Sequence, residues 1–536
     1  MTQPISYTTT AQVREALLAK HEIALLDVRE EDPFAQGHPL FAANLPLGRL
    51  ELDARWRIPR PNTQIVVYDN GEGLAEIAAQ RLQAQGFTQV SLLQGGLQGW
   101  RGAGGEIFID VNVPSKSFGE LVESERHTPS LPAPEVKALL DQKADVVVLD
   151  ARRYDEYQTM NIPGSSSVPG AELVLRAREL APNPATRIIV NCAGRTRSII
   201  GTQSLVNAGL PNPVSALRNG TIGWTLAGQT LEHGADRRAP ATVSAEHKAA
   251  AAKQARDVAD KAGVQRAVPS DIANWRKEVD RTTYLLDVRT PEEFTAGHLS
   301  GFRSAPGGQL VQETDVSAPV RGARIVLADD DGVRANMTAS WLAQMGWNVY
   351  VLDGLTSADF SDSSPVAQNL PAPTAPVTWI KPQALADAIA QAPKDSIAVV
   401  DLTTSANHVR RHIPGAWFAL RTDLQQALSR IPKADRYVLT CGSSLLAKYA
   451  VQEFAEATGA TVEVLEGGNQ AWADTGLPVE TGEQRLASPR VDRYRRPYEG
   501  TDNAHEAMQA YLDWEFGLVE QLGRDGTCFN AAAWKI

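Results

Sequence analysis

Cysteine is scarce in this chain: three occur among 536 residues, Cys192, Cys441 and Cys528, far apart and without paired spacing. That excludes a disulfide framework and the ligand spacing of a zinc site, so neither metal nor cofactor is expected, and each thiol is left as a lone nucleophile in a reducing compartment. Long apolar runs are missing too. Met1-Thr2-Gln3-Pro4-Ile5-Ser6 shows no basic stretch leading into an apolar core, and no later run approaches a membrane span, so a cytoplasmic protein with no membrane partner is expected. An excess of positive charge is the third absence. Lys and Arg total 52 against 63 Asp and Glu, a net charge of −11, which argues against a broad phosphate-binding surface and removes nucleic acid as a partner.

The chain does have repetition. Its length suggests roughly three to five domains, and a phrase recurs at domain-sized intervals: Leu25-Leu26-Asp27-Val28-Arg29, Val148-Leu149-Asp150-Ala151-Arg152, Leu285-Leu286-Asp287-Val288-Arg289 and Val399-Val400-Asp401-Leu402. Each is an apolar strand ending in Asp. A second phrase follows: Gly37-His38-Pro39, Asn161-Ile162-Pro163-Gly164, Gly297-His298-Leu299 and His412-Ile413-Pro414-Gly415. The offset from Asp27 to Asp69 equals that from Asp150 to Cys192 and from Asp287 to Asp329, and is two residues longer than that from Asp401 to Cys441. Three copies then close on a glycine-rich turn before a tryptophan, at Trp100, Trp224 and Trp472, and the third copy has only Asp353-Gly354-Leu355. Short apolar strands alternating with helix-period segments predict four α/β domains, each a parallel sheet flanked by helices, with ligands beyond the carboxyl ends of the strands.

One such end carries chemistry. Arg187-Ile188-Ile189-Val190-Asn191 leads into Cys192-Ala193-Gly194-Arg195-Thr196-Arg197-Ser198 and then a helix-compatible segment. A cysteine between a buried strand and a helix N-terminus can have its negative charge stabilised by loop amides, so Cys192 is expected to be largely thiolate at neutral pH. Arg195 and Arg197 add forked donors for an anion. The combination suits nucleophilic attack on a small anionic substrate. The bland alternative, a buried small hydrophobe, applies more readily to Cys441, whose loop Cys441-Gly442-Ser443-Ser444-Leu445-Leu446 lacks a cation.

Together the Asp-Val-Arg strand, the His-Ile-Pro-Gly phrase, the Cys-headed loop and the closing tryptophan resemble the rhodanese family of sulfurtransferases, and the resemblance covers all four copies. It implies a double displacement: Cys192 takes sulfane sulfur from thiosulfate or a similar anionic donor and hands it from a persulfide to cyanide or a thiol acceptor. Cys192 is then the catalytic residue, with Cys441 a second candidate, and Ala193, Gly194, Arg195, Thr196 and Arg197 bind the donor. Pairing of one arginine with an acidic residue to brace the loop is the alternative. Four residues separate Cys192 from Arg197, one fewer than in the phosphatases and arsenate reductases of the same fold, which favours sulfur over a tetrahedral oxyanion. Asp69 and Asp329 stand where the family has cysteine and cannot carry sulfur, so copies one and three are expected to be silent. The Cys441 loop is similar to the mercaptopyruvate type of the family, with Leu446 in place of Arg197. A scaffold of four rhodanese-like domains with little turnover is the non-enzymatic alternative.

The expected organisation is a first rhodanese-like domain over 1–110, a second over 111–235, a helical linker over 236–264 rich in alanine, a third domain over 265–360, a fourth over 375–483, and a C-terminal extension over 484–536. Pro365 to Pro376 reads as an extended linker. Met508, Tyr511, Leu512, Leu518, Val519 and Leu522 recur at helical spacing and predict one amphipathic helix docking on another copy or another subunit, which leaves a homo-oligomer open. The Asp of each Asp-X-Arg phrase is expected to pair with its Arg, the recurring histidines His38, His298 and His412 to hydrogen-bond in packing, and the tryptophans to anchor the last helix. Cys528 is expected to be incidental, with resolving thiol or persulfide acceptor as its sharper alternative.

Overall fold

The computed structural model describes residues 5–393, 395–527 and 529; Cys528 lies outside them. Four five-stranded parallel sheets follow one another along the chain, and all four share one spatial order of strands. In the second, that order is Ser130–Leu131, Val214–Leu217, Arg187–Asn191, Val146–Asp150 and Ser166–Ser167. Ile188, Ile189 and Val190 are fully buried, because helices cover both faces and β-branched residues fill a pleated surface from either side. This is the predicted α/β architecture. Every Asp-X-Arg phrase folds as a local clamp at a strand end. Arg152 Nε and Nη2 donate to Asp150 at 2.9 and 2.8 Å, and Nη2 also donates to the Met160 carbonyl at 2.5 Å. Arg29 and Arg289 do the same to Asp27 and Asp287, reaching the carbonyls of Gly37 and Gly297. In the fourth sheet, where the arginine is lacking, His408 Nδ1 meets Asp401 Oδ2 at 2.9 Å instead.

The recurring histidines and tryptophans are structural, as expected. Nδ1 of His38, His298 and His412 meets a backbone carbonyl at 2.8, 3.1 and 2.7 Å. Trp100, Trp224 and Trp472 are buried and donate from Nε1 to the carbonyls of Glu106, Thr230 and Pro478.

The domains are not beads on a string. Buried residues of the first sheet and its helices (Leu47, Leu50, Ile58) join those of the third (Tyr284, Leu310, Val320) in one core that also takes Phe118 of the helix Val113–Arg126. The alanine-rich stretch forms the helix Ala245–Lys261. It is packed rather than free: Ala251, Ala255 and Val258 share a core with Leu173 and Leu175 of the second domain and Val333 and Met337 of the third. Small side chains let three helices approach closely here. Arg421 of the fourth domain bridges to Glu51 of the first at 2.7 Å and to Glu453 at 2.6 Å.

The C-terminal extension departs from the single amphipathic helix expected. Two helices form, His505–Phe516 and Leu518–Asp525, meeting at Gly517. Glycine weakens a helix interior, and the break lets each half bury a different face. Met508, Tyr511 and Leu512 pack on Ala193 and Ile222 of the second domain, while Leu518 and Leu522 enter the core shared by the first and third.

Arg334 joins the second and third domains. It is 2% exposed and pairs with Asp331 at 2.5 Å, Glu293 at 2.6 Å and Glu172 of the second domain at 2.9 Å. Arg334→Ala leaves Asp331 buried without its cation and takes from Glu172 one of its two arginine partners, Arg176 remaining; it is expected to destabilise the chain by about 3 kcal/mol, read as a lower urea midpoint.

Candidate active site

The strand Arg187–Asn191 ends at Cys192, and the helix Thr196–Asn207 begins four residues later. Below the loop lies the closing helix Gly220–Leu226. Thr221 N–H donates to the Cys192 carbonyl at 2.9 Å and Ile222 N–H to the Ala193 carbonyl at 3.0 Å. Gly220 has φ +56°, and a Cβ there would stand 2.3 Å from the Cys192 carbonyl oxygen. The same contact forms between Gly96 and Asp69 and between Gly468 and Cys441, with added Cβ atoms at 2.7 and 2.2 Å. The glycine of the closing phrase is therefore required by the loop it supports.

What the loop amides bind is visible in the two copies headed by aspartate. Asp69 accepts from the N–H groups of Gly71, Leu74 and Ala75 at 3.0, 2.7 and 3.0 Å. Asp329 accepts from Gly332 and Ala335 at 3.1 and 2.8 Å. Burial, with Asp331 beside it, pushes the Asp329 carboxyl well above its usual range. A built-in carboxyl group occupies the cradle at the position where the second copy places sulfur.

Cys192 is 1% exposed, and its Sγ lies 3.4 Å from Ser198 Oγ, whose hydroxyl donates to the Arg195 carbonyl at 2.8 Å. The expectation of a largely ionised Cys192 is not met. Burial pushes its thiol up, more than the Arg197 guanidinium and the hydrogen bonds from Ser198 pull it down, and Glu515 adds to the rise. The sequence motif supplies the stabilising groups, but the burial comes from a distant segment.

Both loop arginines hold carboxylates. Arg195 donates to Glu120 through Nε at 2.7 Å and Nη2 at 2.8 Å, to Asn219 Oδ1 at 3.0 Å, and also pairs with Glu123. Its guanidinium carbon sits 4.2 Å from the centre of the Phe516 ring. Arg195 thus ties the loop to the helix Val113–Arg126 and the C-terminal segment. Arg197 forms a fork on Glu156 at 2.7 and 2.9 Å. Burial opposes the charge of Glu156, yet Arg197 holds its carboxyl down at about 2. Arg197 also reaches a larger cavity next to the sulfur site, and both Arg195 and Arg197 line the space beside the sulfur.

That space is small. Ser115, Lys116, Gln312, Tyr498, Tyr511 and Glu515 close over Cys192 and its loop around a cavity of about 20 Å³, room for one water-sized group. An added Cβ on Gly194 would meet Tyr511 Cε1 at 3.1 Å and Glu515 Oε2 at 3.3 Å, so the helix His505–Phe516 lies directly on the loop. Arg197, Gln312 and Tyr498 also line a neighbouring cavity of about 400 Å³, which Arg152, Arg493 and Arg496 reach. Of the roof residues the sequence pointed only to Tyr511, as part of a docking helix and not of the site. A signal was present: Glu515 follows Tyr511 by one helical turn, an acidic residue on the expected apolar face.

Cys441 has a different setting. It is 4% exposed and opens on a cavity of about 340 Å³ lined also by Arg49 and Trp56 of the first domain. Leu446, at the position of Arg197, packs into the core. Among the described residues no group of three or more His, Cys, Asp or Glu side chains is placed to hold a metal ion, and no helix is long and apolar enough to cross a membrane.

Comparison with known proteins finds the same fourfold repetition. The family model described as a rhodanese-like domain matches four times, over residues 9–103, 132–227, 269–357 and 381–475. The crystal structure of thiosulfate sulfurtransferase from Pseudomonas aeruginosa is 66% identical, with 98% of this chain and 99% of that one covered and a TM-score of 0.96. Two curated relatives match one stretch each: the uncharacterised protein YqhL of Bacillus subtilis, 36% identical over 78 residues, and an HTH-type transcriptional regulator of Mycobacterium tuberculosis, 30% identical over 94 residues. These matches take up 15% and 18% of this chain, and span 60% and 41% of those relatives.

Gly220→Ala forces its Cβ onto the Cys192 carbonyl at a left-handed position, and is expected to cost more than about 1 kcal/mol, checked by denaturant unfolding. Alkylation of Cys192 by iodoacetamide is expected to be slow at neutral pH and to keep rising beyond the ordinary thiol range near 8.5, because the raised thiol releases its proton only there; the rate against pH, followed by peptide mass, checks it.

Proposed function

The chain belongs to the rhodanese-like family, and from that premise we propose that it is a sulfurtransferase in which Cys192 carries sulfane sulfur from thiosulfate or a similar anionic donor to cyanide or a thiol. The Cys192 thiolate attacks the outer sulfur of the donor, a new S–S bond forms, the donor's own S–S bond breaks, and sulfite leaves with the electron pair. The acceptor then attacks the terminal sulfur of the persulfide and regenerates the thiolate. The observation that carries this reading is the amide cradle. In the silent copies it holds carboxyl groups, so in the second copy the same preorganised donors stabilise the negative charge of thiolate and persulfide. By the offsets of those contacts the cradle amides are those of Gly194, Arg195, Arg197 and Ser198, and Arg197, which lines both cavities, is the cation for the donor.

Size supports a division of the donor between two spaces. The cavity of about 20 Å³ over Cys192 suits the single transferable sulfur, and the adjoining one of about 400 Å³, beyond Arg197, Gln312 and Tyr498, suits the oxyanion end. The first and third domains, with Asp69 and Asp329 filling their cradles, serve as walls.

A second reading concerns Cys441. Its cavity of about 340 Å³ favours a larger donor of the 3-mercaptopyruvate kind at this thiol, independent of Cys192.

Incubation with thiosulfate is expected to add one sulfur atom to the peptide containing Cys192, seen by mass spectrometry. Cys192→Ala should abolish thiocyanate formation, while Cys441→Ala stays close to wild type. Unchanged thiocyanate formation in Cys192→Ala would overturn the assignment, and negligible turnover with all sulfur donors would favour a scaffold.

A further inference from the structure

The roof over Cys192 carries one group that the transfer chemistry above does not use. Glu515 is fully buried. Tyr511 Oη donates to its Oε1 at 2.7 Å, but Oε2 has no partner and lies against Gly194 in the wall of the Cys192 cavity. A buried carboxyl oxygen left unsatisfied in this way is costly unless something completes it.

Charge balance sets its form. Each cation nearby already has an anion: Lys116 Nζ is 2.7 Å from Asp110, Arg195 holds Glu120 and Glu123, and Arg197 holds Glu156. The remaining groups at the cavity are the phenols of Tyr498 and Tyr511 and the thiol itself. An ionised Glu515 would be surplus negative charge in a closed space. Burial accordingly pushes its carboxyl up to about 8, with Glu120 adding to the rise and Lys116, Tyr511 and Arg195 opposing it. At neutral pH Glu515 is mostly the acid, with a proton available for donation from Oε2.

Building on the sulfurtransferase reading, we propose that Glu515 is a catalytic residue: as the neutral acid it donates a hydrogen bond from Oε2 to the sulfur being transferred on Cys192. No proton changes owner in this step. The thiolate attacks, the donor's S–S bond breaks, sulfite takes the electron pair, and the charge on the terminal sulfur is met by the O–H of Glu515 from above and the loop amides from below. The sign of the pH dependence follows. Donation is present while Glu515 is protonated and is lost as pH rises through its pKa, when the carboxylate also repels the persulfide; Cys192 needs the reverse, so sulfur loading should rise and then fall with pH.

The test is sulfite released in a single turnover from thiosulfate, measured between about pH 6 and 10. Glu515→Ala removes the donor and is expected to slow loading about 100-fold. Glu515→Gln keeps a neutral N–H donor at every pH; it should recover most of that loss and retain only the rising limb. Gln as slow as Ala, or a Gln profile that still falls at high pH, would overturn the role of Glu515. If the Ala variant fails to fold, the Gln profile alone decides. Absence of sulfur on Cys192 in the wild-type protein would overturn the underlying reading as well, whereas normal loading with unchanged pH profiles in Glu515→Gln overturns only this inference.

Discussion

The contact between a glycine at a helix start and the carbonyl of the residue heading the loop organises the first, second and fourth domains. At Gly220 the backbone of the closing helix comes so near Cys192 that no side chain fits between them. Thr221 and Ile222 then donate to the carbonyls of Cys192 and Ala193. Trp224 fixes the same helix from its far side through Thr230. Where the closing helix is missing, in the third domain, the loop is held by its own carboxylates instead: Asp331 accepts from Val333 and Arg334 at 2.7 and 3.1 Å. Two ways of bracing one loop thus coexist in a single chain.

Repetition with reassignment runs through the rest. Arg334 occupies in the third domain the place of Arg197 in the second, and Glu293 that of Glu156, so the ion pair is kept where Asp329 stands in place of cysteine. Arg334 also reaches across to Glu172 and joins two domains. Arg421 does a comparable service between the first and fourth. Buried ion pairs of this kind contribute little net stability but are costly to break, which makes them suited to fixing how domains sit.

The fold was legible in the sequence because its signals are local. Asp150 and Arg152 are two residues apart, and the closing glycines and tryptophans lie within one turn of each other, so the phrase that marks a domain is also the phrase that folds it. The strand–loop–helix around Cys192 was legible for the same reason. The state of Cys192 was not, because it depends on Tyr498, Tyr511 and Glu515, which are remote in sequence and meet the loop only through packing. Arg195 shows the limit from another side. Its positive charge could be read, but its partners Glu120 and Glu123 belong to a helix between domains. The break at Gly517 was missed because helical spacing continues across it; only the presence of two separate hydrophobic surfaces beneath explains it.

Tyr511 and Glu515 stand far downstream of the thiol they cover. A ribosome making this protein therefore releases the Cys192 loop, strand and closing helix long before the segment that shelters them. Until the final helices emerge, the nascent second domain holds a bare sulfur open to any oxidant or electrophile in its surroundings, and completing synthesis is what seals it.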